Sequence, residues 1–286
     1  MNLKNQNQTT AQATKAVKRK WKMADPVTII SPRGAQIIAS NNVIEMPDTN
    51  LWEIVPRNTA RIKMGTPGAP WPPDLEDKVE QWRSGKLVNL TKNGQIRYGV
   101  SAAIMGREGV RLWPIFGQNS PTHPTRPNEL TPPAGLPDGP DILEKAMTEL
   151  GQEIIITLDG HVGFWSFNGT ILEPEWVVQY AKDHELKINH DLIVPVNLLH
   201  DMPEMVSIVA GDQKIHCWVA WEFDTGAMEI MIPMSAELPK NIILKDGERF
   251  DNGQWRGSNV VQMKLGEKAE LIMRRFLDAK TKGFCR

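Results

Sequence analysis

The sequence predicts an α+β fold, and three observations carry the expectation. Stretches of alternating apolar and polar residues closed by turn pairs run from Gly94 to Gly117, from Glu153 to Phe167 and from Lys214 to Met234. That is how half-buried strands joined as hairpins read. Between and after them lie segments with apolar residues at helical spacing, at Leu143 to Leu150, Trp176 to Tyr180 and Ala269 to Leu277. The chain has 286 residues, 41% of them hydrophobic and 23% charged, enough to bury a core in one large domain or two small ones.

Composition also narrows the function. A net charge of −1 gives no overall attraction to nucleic acid or to an anionic membrane surface. The two cysteines, Cys217 and Cys285, make no disulfide framework and have no zinc-ligand spacing. No apolar run reaches the length of a membrane span and the N-terminus has no signal-peptide core. A reducing compartment, the cytoplasm, is the expected location.

Residues 1–25 are a polar and then basic tail, in which Lys15, Lys18, Arg19, Lys20 and Lys22 surround Trp21 and precede the first acid, Asp25. Two readings are open. One is a solvated tail that cannot bury a core; the other is an arm that touches nucleic-acid phosphates while Trp21 stacks on a base. Residues 26–90 read as a β-rich extension or subdomain, with apolar clusters at Val27–Ile30, Gln36–Ala39 and Leu51–Val55. A proline-rich connector, Gly65–Asp74, and a short helix over Leu75–Trp82 close it. The main domain is expected over residues 91–286.

That domain begins with GQIRYGVSAAIMGREGVRLWPIFG, Gly94 to Gly117, two strands expected to turn between Gly106 and Gly109. Gln118–Pro133 follows, an irregular loop holding Pro121, Pro124, Pro127, Pro132 and Pro133; loops of this length are functional or mobile. His123 and Arg126 lie in it, each either an exposed loop residue or a contact to a ligand.

The stretch PPAGLPDGPDILEKAMTELGQE, Pro132 to Glu153, then reads as a glycine-bearing loop and one helix. Pro140 suits the first helical position, where its missing N–H is no loss. Leu143, Ala146, Met147 and Leu150 form one apolar face, and Gly151 marks a sharp stop. Lys145, Glu149 and Glu153 are spaced by four and stack on one edge if the helix reaches the last of them. A loop followed by a helix with carboxylates on one edge is one way to hold magnesium against a diphosphate.

This stretch resembles a Nudix box, G-x5-E-x7-R-E-U-x-E-E-x-G-U with U a bulky aliphatic. Thr148 to Glu153, TELGQE, stands where the family has R-E-U-x-E-E, with Glu149, Leu150 and Glu153 matching. Thr148 replaces the arginine, Gln152 a glutamate, and Pro140 the glutamate after the second glycine. The loop from Gly135 to Gly139 is one residue short and the glycine after the box is missing. The resemblance implies a Nudix-like mixed β-sheet sandwiched by helices, with an insertion around residues 160–210. It implies Mg2+ held by Glu149 and Glu153, which with Glu222 are the expected catalytic residues. Glu144 or Asp141 would join the metal only in a different register. His123, Arg126 and Trp113 are the expected substrate contacts, Trp113 as part of a clamp on a nucleobase.

Beyond the box, EIIITLDGHVGFWSF reads as a hairpin about Asp159-Gly160. Glu173-Pro174-Glu175 opens a helix with proline and acids in its first turn and an apolar face of Trp176, Val177 and Tyr180. His184, His190 and His200 are scattered without ligand spacing and read as surface or loop-capping residues. In KIHCWVAWEFDTGAMEIMIPM, Lys214 to Met234, alternation separates Trp218, Ala220 and Glu222 from Cys217, Val219, Trp221 and Phe223. Glu222 is open to two readings, a base or further metal ligand, or a surface residue near the turn.

Two functions are weighed. One is a magnesium-dependent hydrolase of a nucleoside diphosphate linked to another group, in which the ion lowers the pKa of an attacking water. The other is a catalytically inactive protein of the same fold that binds a nucleotide, a nucleic acid or a protein partner.

Overall fold

The computed structural model describes residues 27–30, 36–40, 43–45, 54–55, 97–119, 121, 130–137, 141–202, 205–210, 213–222, 227–248, 260–262 and 284–285. Its elements are β1 (Val27–Ile30), β2 (Gln36–Ser40), β3 (Val43–Glu45), β4 (Ile54–Val55), β5 (Arg97–Glu108), β6 (Arg111–Gln118), β7 (Leu130–Thr131) and β8 (Ala134–Gly135). Helix α1 (Ile142–Glu153) follows, then β9 (Ile154–Leu158), β10 (His161–Phe167), β11 (Thr170–Ile171) and helix α2 (Pro174–Asp183). The chain continues as β12 (Lys187–Leu198), β13 (Val206–Ala210), β14 (Gln213–Glu222), β15 (Ala227–Glu237), β16 (Ile243–Asp246), β17 (Val260–Gln262) and β18 (Phe284–Cys285). The basic tail, the Gly65–Asp74 connector, the Leu75–Trp82 helix and the C-terminal amphipathic helix lie outside the described residues.

The sheet is mixed, and with the two helices it gives an α+β architecture. Read across, its strands run β16, β9, β10, β12, β15, β5, β6. The β10–β12 and β15–β5 pairs are parallel and the others antiparallel. β14 shares an edge of β15 with β12, pairing with its first half while β12 takes Met234–Ala236. From β14 the pairing continues through β13 and β1 to β2 and β3.

The parallel pair β5–β15 is buried on both faces, the usual fate of parallel strands. Val100, Ala102 and Ile104 of β5 join Ile230, Ile232 and Met234 of β15 in the main core, while Ala103, Met105 and Met231 join a second core with Phe116, Leu130 and Trp218. β14 alternates as expected over its described side chains, with both faces covered: Cys217 and Val219 enter the main core and Trp218 the second. Burial pushes the Cys217 thiol well above its ordinary value, so it behaves as a small hydrophobe and not as a nucleophile.

The helices lie on opposite faces of β9. Ile154 and Ile156 enter the core that holds Ile142, Ala146, Met147 and Leu150 of α1; Ile155 enters a third core with Val177, Tyr180 and Ala181 of α2. The α2 face matches expectation, with Pro174 in the first turn. The Asp159-Gly160 hairpin is also as expected, both residues at positive φ. The first hairpin turns later than expected: β5 runs through Gly106 to Glu108 and the turn falls at Gly109 and Val110. Gly106 instead lies under the Trp113 ring, where a Cβ would overlap the indole.

Gly163 of β10 serves another close approach. The β10–β12 register is irregular between Val162 and Phe164, and a Cβ on Gly163 would come within 2.5 Å of the Leu192 carbonyl oxygen. A backbone atom cannot swing away, so this bulge depends on glycine.

Candidate functional site

Asp141 is the N-cap of α1: its Oδ1 accepts from the Leu143 and Glu144 N–H groups at 2.8 and 3.2 Å. Such a cap satisfies two of the donors a helix start leaves open. The helix therefore begins at Ile142, and the first-turn place expected for Pro140 belongs to Ile142. Pro140 itself is outside the described residues. The cap uses Asp141, and Glu144 is exposed on the first turn, where its charge suits the helix dipole.

One turn on, Lys145 Nζ and Glu149 Oε1 form an ion pair at 2.5 Å, each side chain with only 11% of its surface exposed. The carboxylate lies against Gly135: a Cβ there would overlap Glu149 and come within 2.9 Å of Lys145 Cε. β8 holds that glycine in place by pairing Ala134 and Gly135 with Ser101 and Val100 of β5, while the Ala102 N–H donates to Pro133 O at 2.9 Å. Glycine, carboxylate and ammonium thus meet where β5, β8 and α1 join. Gly135→Ala is expected to lower stability by about 1–3 kcal/mol, the usual cost of forcing extra volume into a packed site. Urea denaturation measures it, and adding Glu149→Ala is expected to remove most of the clash-specific loss.

The helix does not stop at Gly151. It runs through Glu153, with Ile154 as C-cap donating its N–H to Leu150 O. Gly151 is small for packing: a Cβ would sit 3.1 Å from Glu173 Cβ and 3.2 Å from Leu172 Cβ, where α1 meets the segment entering α2. Sequence spacing suggested a terminator because a helix end and a helix contact both favour glycine. Glu153 is half-buried in the last turn, one turn from Glu149, and its carbonyl accepts from Gly247 N–H at 3.0 Å.

Gln152 has a defined task. Its Nε2 donates to Glu173 Oε2 at 2.9 Å, so a neutral amide joins the two helices where a carboxylate would meet another carboxylate. Gln152→Glu is expected to destabilise the fold by about 1–2 kcal/mol at neutral pH by losing that bond and placing like charges together. The new carboxyl's folded pKa would be raised by Glu173, so the deficit is absent below the ordinary carboxyl value of about 4.3. It grows as pH rises and is complete above the folded pKa. Thermal melts from acid to neutral pH check this, and Gln152→Glu with Glu173→Gln is expected to restore the bond.

Of the remaining expected site residues, Trp113 is the one whose side chain is described. Trp113, on β6, is 7% exposed and packs over Gly106 in the main core, so its ring is not open to a nucleobase. Glu222 is the last residue of β14 and pairs in register with Ala227 of β15; its side chain lies outside the described residues, as do His123 and Arg126. Cys217 is buried. A charge the sequence reading passed over, Glu229 on β15, is 8% exposed at the register position of Gly99; its one signal was an acid inside an otherwise apolar strand.

Among the described residues no three His, Cys, Asp or Glu side chains are grouped so as to hold a metal ion, and no helix is long and apolar enough to cross a membrane. In comparisons with known proteins the chain matches no family model, no curated protein and no solved structure.

Proposed function

We propose that the chain is a catalytically inactive, Nudix-like protein that binds a nucleotide or nucleotide-derived ligand, with the acidic edge of its box helix serving as a structural clamp. The observation that supports this most is the ion pair between Lys145 and Glu149 at 2.5 Å, pressed against Gly135 with 11% of each side chain exposed. An ammonium already neutralises the carboxylate that a magnesium ion would need, and a cation would have to displace it. The Gln152–Glu173 bond adds to the case, because the box position that lacks its acid is tied to α2.

The hydrolase reading is favoured by a different observation. Helix α1 continues unbroken through Glu153, which keeps two carboxylates one turn apart on a single element. Phosphorus NMR of a panel of nucleoside diphosphate derivatives, with Mg2+ and the wild-type chain, separates the two. Binding seen as line broadening or shift without turnover is expected. Hydrolysis that needs Mg2+ and disappears in Glu149→Gln or Glu153→Gln would replace the clamp with a metal centre.

A further inference from the structure

We propose that His200 and His216 form a separate site for a transition-metal cation that prefers imidazole, such as Zn2+ or Ni2+. The rings come from different parts of the chain: His200 is exposed just after β12, and His216 is half-buried within β14. Their centroids are 6.2 Å apart with the planes at 86°. Binding one ion through a nitrogen of each ring at about 2.0–2.1 Å requires the exposed His200 ring to turn toward His216.

The other described histidines are engaged differently. His161 and His184 each place Nδ1 at 3.0 Å from a backbone carbonyl oxygen, of Asp159 and Tyr180, and His190 stacks on Phe164. The His200 and His216 rings instead meet each other edge to face.

Both rings are also carried on anchored backbone. His216 is paired in register with Ser207 of β13, and the residue before His200, Leu199, donates its N–H to Pro233 O at 2.9 Å. Ligands held by fixed elements lose little freedom on binding, which favours a defined site. Imidazole suits zinc, copper and nickel, whereas magnesium and calcium take oxygen. With no third His, Cys, Asp or Glu grouped beside them among the described residues, water or a small ligand would fill the other positions. Affinity is then below that of a closed four-ligand site. A bound ion would tie the segment leaving β12 to β14.

The test is calorimetric titration of the tag-free full-length chain with NiCl2 or ZnCl2 near neutral pH, followed by thermal melts with and without the metal. One ion per chain is expected to bind, with loss of binding in His200→Ala and in His216→Ala. His190→Ala is expected to bind as the wild type does, and excess Mg2+ is expected not to compete. The metal should raise the melting temperature of the wild type but not of either variant that loses binding. A wild type that binds neither ion overturns the proposal, as do unchanged binding in His200→Ala and His216→Ala, equal loss in His190→Ala, or displacement by Mg2+.

Discussion

Lys145→Ala is expected to lower the free energy of unfolding by about 3 kcal/mol, the low end of the cost of removing one partner from a buried ion pair. The low end applies because each side chain keeps 11% of its surface exposed. Alanine is the best helix former, so weakened helix propensity cannot explain a loss. What remains is a carboxylate, Glu149, enclosed against Gly135 with its counter-charge gone. Urea denaturation should show a lower midpoint with an unchanged slope.

Trp165→Ala is expected to cost more, about 4–5 kcal/mol, from the cavity left by a buried indole together with an orphaned carbonyl. The side chain is 1% exposed, and its Nε1 donates to Ile154 O at 2.7 Å. Ile154 is the residue at which α1 ends and β9 begins, so the bond fixes the exit of the helix that carries the candidate site. Trp165→Phe separates the two contributions: it keeps most of the volume and loses the hydrogen bond, and about 1–2 kcal/mol is expected. Thermal or urea unfolding of the pair of variants measures both.

Much of the local architecture was legible in the chain. The hairpin at Asp159-Gly160 and the helix opened by Pro174 follow from turn chemistry and spacing, which act over a few residues. Helix α1 was legible in its apolar face but not at its ends. Asp141 outcompeted Pro140 for the start because a capping side chain satisfies donors that proline merely lacks. Gly151 was misread because its reason, the approach of Leu172 and Glu173, lies about twenty residues away along the chain.

The candidate site was half legible. Spacing placed Lys145, Glu149 and Glu153 on one edge, and Lys145 does pair with Glu149, but spacing says nothing of how far the pair is covered. The cover comes from β8, whose position depends on pairing with β5, a contact no local pattern encodes. The same holds for Gln152 with Glu173, and for His200 with His216, which lack any ligand spacing and are brought close only by the sheet.

A double-mutant cycle on unfolding free energy with Lys145→Met, Glu149→Leu and both together bears most directly on the clamp. The prediction is that each single change destabilises, that the pair recovers most of the loss, and that the coupling energy is about 2 kcal/mol or more. Additive single effects with no coupling, and a Glu149→Leu protein as stable as the wild type, would contradict it.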